Sequence, residues 1–181
     1  MTGRRSRHPE RARRAAEASE RSWVIGFGVR LLIGWALAIV ALALLPAIDR
    51  TAVAGTVWSV TAVLHAIALH PEITGATIRL GSAALQIIPE CTPVMPVLLL
   101  AIAMLAYPAP GRWKLAGIAA GIAALWIYNI IRMLALIATL SLRPTWFKFM
   151  HVYLWQSITL LVVCALFLAW LRYAPEARGR A

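Results

Sequence analysis

The sequence predicts an all-α integral membrane protein with about four transmembrane helices, an external amphipathic helix and a short β-hairpin or extended loop. Composition is the first reason, because 61% of the 181 residues are hydrophobic, only 14% are charged, and the mean hydropathy is +0.76. A soluble domain has roughly 45–50% apolar and about 25% charged residues. The second reason is that several apolar runs are long enough to cross a bilayer. Together these observations exclude a soluble enzyme, a disulfide scaffold and a disordered chain.

The N-terminal segment, residues 1–30, is rich in arginine and is expected to lie in the cytoplasm. A cluster of arginines also occurs in proteins that bind nucleic acids. Here the cluster precedes an apolar run, and basic flanks hold the cytoplasmic end of a membrane helix against anionic lipids. We therefore predict contact with the lipid bilayer and no nucleic-acid partner. Seven arginines lie between residues 4 and 21, well before the first apolar run: Arg4, Arg5, Arg7, Arg11, Arg13, Arg14 and Arg21.

The first apolar run, residues 31–48, predicts a transmembrane helix of about 27 Å. Arg30 precedes the run, and Asp49 and Arg50 follow it. A cleaved signal peptide is the alternative, and it requires a shorter apolar core followed by a small-residue cleavage site. Residues 44–47 provide only a weak site of that kind, which favours a retained signal anchor.

The segment 49–92 is predicted to lie outside the membrane. Residues 51–70 are compatible with a helix but carry several hydroxyl groups and two histidines, so they fit either a span or an amphipathic helix on the membrane surface. Residues 71–89 are β-branched in their first half and are interrupted at Gly81, which indicates a short hairpin or an extended loop. An open hairpin cannot face lipid, so this part must lie in water or against protein.

Three further apolar stretches complete the predicted membrane domain, residues 31–172, and a basic cytoplasmic tail follows at 173–181. With the N-terminus in the cytoplasm and 49–92 outside, the cytoplasmic segments hold twelve basic residues, not counting Arg30 at the boundary of the first span, and the external segments hold four. This bias agrees with the positive-inside rule. A fifth span at 51–70 would reverse all later segments, so the pattern favours four spans. The three stretches are 93–107, 115–140 and 152–171.

Cys91 lies just before the second predicted span and is the first candidate for chemistry. Thr92 is predicted to cap that helix, and Pro93 is predicted to be its first residue. The thiol then faces the positive end of the helix dipole, which favours the thiolate, whereas the Glu90 carboxylate opposes it. The alternative interpretation of a lone cysteine is a small buried hydrophobic residue.

Arg132 and His151 are predicted to lie at the same external boundary as Cys91. Arg132 is 18 residues beyond Lys114, or about 27 Å along the third span, and Asn129 lies on the same helical face. An arginine inside a membrane is costly and indicates function, unless it extends to the interface. His151 begins the fourth span and exchanges protons near neutral pH, although a lone histidine is more often an interfacial residue. The convergence of three spans on one face favours a functional site.

Two other groups of residues are weaker candidates. Cys164 is 13 residues beyond His151, about 20 Å deeper, which is too far for a disulfide with Cys91, so we predict a packing role. His65 and His70 could form a metal site with Cys91 and His151, but no short ligand spacing supports one. We therefore predict neither a metal nor a cofactor.

A thiol, an imidazole and a guanidinium at one boundary are suited to acyl transfer. Cys91, as a thiolate, would attack a peptide carbonyl and form a thioester. His151 would protonate the departing amine and later activate the incoming nucleophile. Arg132 would donate hydrogen bonds to the oxyanion, and Asn129 and Thr92 are predicted to support the site. A site at the outer membrane face predicts substrates that are themselves tethered to the membrane.

From about residue 25 onward, the chain resembles the exosortase/archaeosortase family of membrane cysteine transpeptidases, and it is most similar to the small exosortase H type. That family carries a cysteine, an arginine and a histidine on separate helices, and Cys91, Arg132 and His151 match them in order. One departure is Pro93, since the family usually has a glycine soon after the cysteine. The resemblance is densest in three segments: ECTPVMPVLLLAIAMLAYPAP, NIIRMLALIATL and TWFKFMHVYLWQSITLL.

The resemblance implies an activity and a substrate class. Such an enzyme cleaves the C-terminal sorting signal of an exported protein, which consists of a short motif, a hydrophobic helix and a basic tail. It then transfers the new carboxyl end to a cell-surface acceptor. With the charge bias, this predicts a prokaryotic plasma membrane, both termini in the cytoplasm and an active site on the outer face. The alternative is a non-enzymatic helical membrane protein that assists assembly or secretion, in which Asn129 and Arg132 join helices and Cys91 is incidental.

Overall fold

A computed structural model describes residues 7–174 of the chain, and it describes side chains from Arg21 onward. Three helices within that range are long and apolar enough to cross a membrane: Arg21–Leu44, Gly111–Leu142 and Pro144–Tyr173. The chain is therefore a helical, membrane-embedded protein, and in this respect the predicted fold class is confirmed.

The described range consists of helices, three consecutive short strands, and 3₁₀ and π-helical turns. In chain order the elements are α1 (Arg7–Leu44), α2 (Pro46–Ala66), β1 (Glu72–Thr74), β2 (Thr77–Leu80), β3 (Ala83–Gln86), a 3₁₀ turn (Pro89–Cys91), α3 (Val94–Ala106), α4 (Gly111–Leu142), a 3₁₀ turn (Pro144–Trp146), α5 (Phe147–Phe149), a π-helical turn (Met150–Leu154) and α6 (Trp155–Tyr173). The last four of these elements together form the third membrane-crossing helix.

Helix α1 has different bounds from the predicted span 31–48. The helix begins well before residue 31 and continues without a break through Arg30. It ends at Leu44 because Pro46 has no backbone N–H and disfavours helical geometry at the residue before it. Pro46 then occupies the first turn of α2, where an N–H would have no partner within the helix.

The three strands form an antiparallel sheet in the order β1-β2-β3, with Ile73 opposite Ile78 and Ile78 opposite Leu85. Strands β2 and β3 form a hairpin whose turn contains Gly81, the position at which the sequence predicts a break between two extended segments. Strand β1 was not predicted. A second turn, at Gly75, connects it to β2. Both glycines have positive φ values, +60° at Gly81 and +59° at Gly75, which residues with a Cβ rarely adopt.

The buried side chains form two clusters that helix α4 connects. One cluster lies between α2, the sheet and the C-terminal part of α4, and it includes Cys91. The other cluster lies between α3, the N-terminal part of α4 and α6. Because α4 has 32 residues, a length of about 48 Å, it reaches both clusters. Helix α2, predicted to be an external amphipathic helix, buries one face against protein.

Helix α3 has 13 residues and agrees with the predicted stretch 93–107 to within one residue at each end. Its last carbonyl groups accept hydrogen bonds from two basic side chains. Lys114 Nζ donates to Leu105 O at 2.7 Å, and Arg30 Nη1 donates to Ala106 O at 3.1 Å. Cations at a helix C-terminus satisfy unpaired carbonyl groups and complement the helix dipole. The two contacts connect α1, α3 and α4 at one end of the bundle.

Candidate active site

Cys91 is the last residue of the 3₁₀ turn that leads from β3 into α3. Its side chain is only 2% exposed and belongs to the apolar cluster under the sheet. Two hydrogen bonds hold its backbone. The Cys91 N–H donates to Ile88 O at 2.8 Å, and the Cys91 carbonyl accepts a hydrogen bond from Asn129 Nδ2 at 3.0 Å. Because Asn129 lies on α4, this second bond ties the turn to the helix that carries Arg132.

The predicted role of Thr92 as the cap of α3 is wrong. Its hydroxyl donates a hydrogen bond to Pro89 O at 2.7 Å and closes the 3₁₀ turn. Helix α3 begins at Val94, and Pro93 occupies the N-cap position without a side-chain hydrogen bond. Cys91 is therefore one residue further from the helix than predicted, and the helix dipole acts on its thiol less directly.

Arg132 is buried on α4, one turn beyond Asn129. The two side chains are 4% and 3% exposed, so they share the buried face that their spacing predicts. The guanidinium of Arg132 lies within electrostatic range of Cys91 and Tyr128. Its Nε atom is buried and has no hydrogen-bond partner among the described residues. A buried donor without a partner is costly, and either a water molecule or a ligand can satisfy it.

His151 is half-buried and lies in the π-helical turn that precedes α6. Its ring stacks on Phe147, with ring centroids 5.5 Å apart and an interplanar angle of 4°. The ring lies within electrostatic range of Arg132, and its buried Nδ1 atom has no hydrogen-bond partner in the described part of the chain. π-Helical turns are rare and occur frequently at functional sites, because they redirect side chains within a helix.

A cavity of about 850 Å³ joins these residues. Arg132 and His151 form one part of its wall, and Glu90 and Thr92, the two neighbours of Cys91, form another part. Cys91 itself is not among the residues that line the cavity, because its side chain is almost fully buried in the cluster between α2, the sheet and α4. Much of the remaining wall is apolar and comes from α1, α3, the π-helical turn and α6: Trp35, Met95, Leu99, Val152 and Leu160.

Several residues that support the site were not predicted. The hydroxyl of Tyr128 lies 2.9 Å from Thr159 Oγ1 and 3.3 Å from the backbone carbonyl of Trp155. These contacts join α4 to the beginning of α6, which directly follows the π-helical turn that carries His151. Tyr128 precedes Arg132 by four residues, so helical spacing alone could have placed both on one face. No sequence pattern indicated that Trp35 lines the cavity, because this depends on how α1 packs against the other helices.

The weaker candidates, Cys164 and the pair His65 and His70, also lie in the described part of the chain. Cys164 is exposed on α6, so its predicted packing role is wrong. The rings of His65 and His70 lie 5.9 Å apart. Among the side chains that the structure describes, from Arg21 to Ala174, no three His, Cys, Asp or Glu residues are close enough together to hold a metal ion.

No protein-family model, curated protein or solved structure matches this chain. The residues around the cavity are therefore the basis for its functional assignment. They provide an imidazole, a guanidinium and a carboxylate at Glu90, and the thiol of Cys91 lies in the same turn as Glu90 without lining the cavity. This is a set of groups that can carry out nucleophilic attack, proton transfer and stabilisation of an oxyanion.

Proposed function

We propose that this chain is a membrane-embedded cysteine protease and transpeptidase with Cys91 as its nucleophile. The observation that carries the proposal is the buried guanidinium of Arg132, whose Nε has no partner among the described residues and which faces a cavity beside Cys91 and His151. A buried, preorganised donor is what an oxyanion formed during acyl transfer requires.

The reaction begins when the Cys91 thiolate attacks the carbonyl carbon of the scissile peptide bond. Arg132 stabilises the negative charge that develops on the carbonyl oxygen. His151, as the imidazolium, gives its proton to the departing amine, which leaves a thioester on Cys91 and a neutral imidazole. An acceptor nucleophile then attacks the thioester and releases Cys91.

Access to Cys91 requires a small movement, because its side chain is 2% exposed. Cys91 lies in a three-residue 3₁₀ turn and not in a long helix, so its exposure to a substrate involves movement of a short segment. The hydrogen bond from Asn129 to the Cys91 carbonyl keeps the backbone in place during this movement. We therefore assign Asn129 as a positioning residue.

The proposed substrates are exported proteins with a C-terminal sorting signal of a motif, a hydrophobic helix and a basic tail. This substrate class follows from the resemblance to exosortases. Two features of the cavity support it: apolar side chains from α3 and α6 form much of its wall, and both helices have exposed apolar residues such as Met95 and Leu160. A hydrophobic substrate helix could approach the cavity from the lipid.

The proposed topology has four spans, with α3 as the second, in the plasma membrane of a prokaryote. Both termini lie in the cytoplasm, and α2 and the sheet lie outside. The bias of twelve basic residues to four supports this orientation. The contacts of Arg30 and Lys114 with the end of α3 also agree with a cytoplasmic location for that end.

A co-expression experiment tests the activity. The chain is expressed with a secreted protein from the same genome that carries a C-terminal motif, helix and basic tail, and the substrate mass is measured. We expect loss of the tail with the wild type and with Cys164→Ala, and an intact substrate with Cys91→Ala. Because Cys164 is the exposed second thiol, it is the matched control. Equal processing by Cys91→Ala would contradict the proposal.

The alternative is a non-enzymatic protein that assists assembly or secretion, and the burial of Cys91 in an apolar cluster favours it. Thiol alkylation in membranes distinguishes the two functions. A nucleophile is alkylated faster than an inert buried thiol, because the thiolate is the reactive form. With Cys164→Ala as the background, rapid alkylation of Cys91 supports the enzyme, and complete resistance in folded protein supports the scaffold.

A further inference from the structure

Glu90 has a position on the cavity wall that the proposed reaction does not yet use. It is exposed, it directly precedes Cys91, and it shares the wall with Arg132 and His151. Among the described residues that line this cavity, it is the only one with a carboxylate. Arg132 lines the same cavity, and because its buried Nε has no partner in the described range, a polar ligand in the cavity is one means of satisfying this side chain.

The second half-reaction requires an acceptor nucleophile to enter the cavity, which the first half-reaction does not. After the thioester has formed, the acceptor must enter a cavity whose wall includes the guanidinium of Arg132. A primary alkyl amine is a cation at neutral pH, so this charge repels it, and its ammonium form has no lone pair for attack. A carboxylate on the wall offsets the repulsion and can accept the proton. Water and alcohols, which are neutral, do not have this requirement.

We propose that Glu90 selects a primary amine as the acceptor, by binding its ammonium form and taking the first proton. This inference rests on the proposed function. It adds the chemical class of the second substrate and assigns a role to Glu90 that is separate from the roles of Cys91, Arg132 and His151.

The protons and bonds balance through the cycle. Glu90 takes one proton from the ammonium ion, and the free amine attacks the thioester carbonyl carbon. The new C–N bond forms, and the nitrogen gives its second proton to His151, which is neutral after the first half-reaction. The C–S bond then breaks, and Cys91 leaves as a thiolate beside the imidazolium. Glu90 releases its proton to water, and the resting state is restored.

The test uses the full chain in detergent and an activated acyl donor, N-acetylglycine thiobenzyl ester, which acylates a reactive thiol without a sorting signal. Two acceptors of matched shape are compared, glycinamide and its hydroxyl analogue glycolamide. Products of amine transfer, alcohol transfer and hydrolysis are quantified by mass spectrometry, and the background with Cys91→Ala is subtracted. The variants are Glu90→Gln and, as the matched charge control, Glu72→Gln, because Glu72 is an exposed acid on β1 outside the cavity.

We expect Glu90→Gln to lower the ratio of amine transfer to hydrolysis by about 10²-fold, the lower end of the range for loss of a general base. The ratio of alcohol transfer to hydrolysis should stay the same, and Glu72→Gln should match the wild type. An unchanged amine ratio, or a parallel fall in all three products, would overturn the role of Glu90. If intact-protein mass shows no acyl adduct on Cys91 in the wild type, the proposed function fails, and this inference fails with it.

Discussion

The side-chain amide of Asn129 donates a hydrogen bond to the backbone carbonyl of Cys91 at 3.0 Å, in the interior of the protein. The bond joins two segments that are 38 residues apart in the sequence. It fixes the turn that carries the thiol relative to the helix that carries Arg132. This buried contact therefore restrains the position of the Cys91 backbone relative to the helix that carries Arg132.

Asn129→Ala should weaken this connection. The substitution leaves the Cys91 carbonyl without its donor, and an unpaired buried polar group costs about 1–3 kcal/mol. We expect a lower unfolding temperature and faster alkylation of Cys91, because the turn opens more often. Ile131→Ala is the control, since Ile131 is 54% exposed on the same helix. Alkylation of Asn129→Ala at the wild-type rate would show that the hydrogen bond does not hold the turn.

Arg132→Lys should lower kcat/KM for tail removal by roughly 10²–10³-fold, the loss typical of removing one oxyanion donor. Lysine keeps the positive charge but lacks the planar, multidentate guanidinium, so a substantial loss in this variant separates hydrogen-bond geometry from charge. The processing rate of a sorting-signal substrate is the measurement. Arg79→Lys on β2 is the control, because Arg79 is exposed and is not among the residues that line the cavity. Wild-type rates for Arg132→Lys would exclude a bidentate role.

Tyr128→Phe should reduce kcat on the order of tenfold and leave KM unchanged, because small errors in the placement of reacting groups reduce the rate of chemistry. The Tyr128 hydroxyl contacts Thr159 and the Trp155 carbonyl, directly after the π-helical turn of His151. Its removal therefore alters the position of the imidazole. Tyr173→Phe, at a position 74% exposed, is the control. A change in KM alone would indicate a role in substrate binding.

The topology predicts opposite labelling of two loops. In a background with Cys91→Ala and Cys164→Ala, Ser82→Cys in the β2–β3 turn should react with a membrane-impermeant maleimide on intact cells. Arg112→Cys, at the start of α4, should react only after the membrane is permeabilised. The reverse pattern would place α2 and the sheet in the cytoplasm and would contradict an external site.

Hydropathy was sufficient to predict the membrane-embedded helices, because lipid requires long apolar segments with satisfied backbone groups. The bounds of α3 were predicted closely, since proline and polar residues flank its apolar run. The shared face of Asn129 and Arg132 followed from helical spacing, which is a local property. The number of spans, four, stays a prediction, because α3 is shorter than the helices that can cross a membrane by themselves.

Three features were not predicted, and the reasons differ. Thr92 has the residue type of a helix cap, but its hydroxyl bonds back to Pro89 in the tight turn. Strand β1 has only three residues, so its sequence pattern is too short to identify a strand. Burial of Cys91 depends on packing against α2 and the sheet, which are separate elements of the chain. Only this last outcome is decided by tertiary packing, whereas the first two are decided by residues nearby in the sequence.

Helix α3 has 13 residues, about 20 Å, whereas the hydrocarbon core of a typical bilayer is about 30 Å thick. If α3 spans, this hydrophobic mismatch requires the bilayer beside it to thin, and the side chains of Arg30 and Lys114 reach inward to its end, as snorkelling residues do. Water then penetrates further at this side of the bundle than elsewhere. The activity of the protein should accordingly depend on lipid acyl-chain length and be greatest in thin membranes.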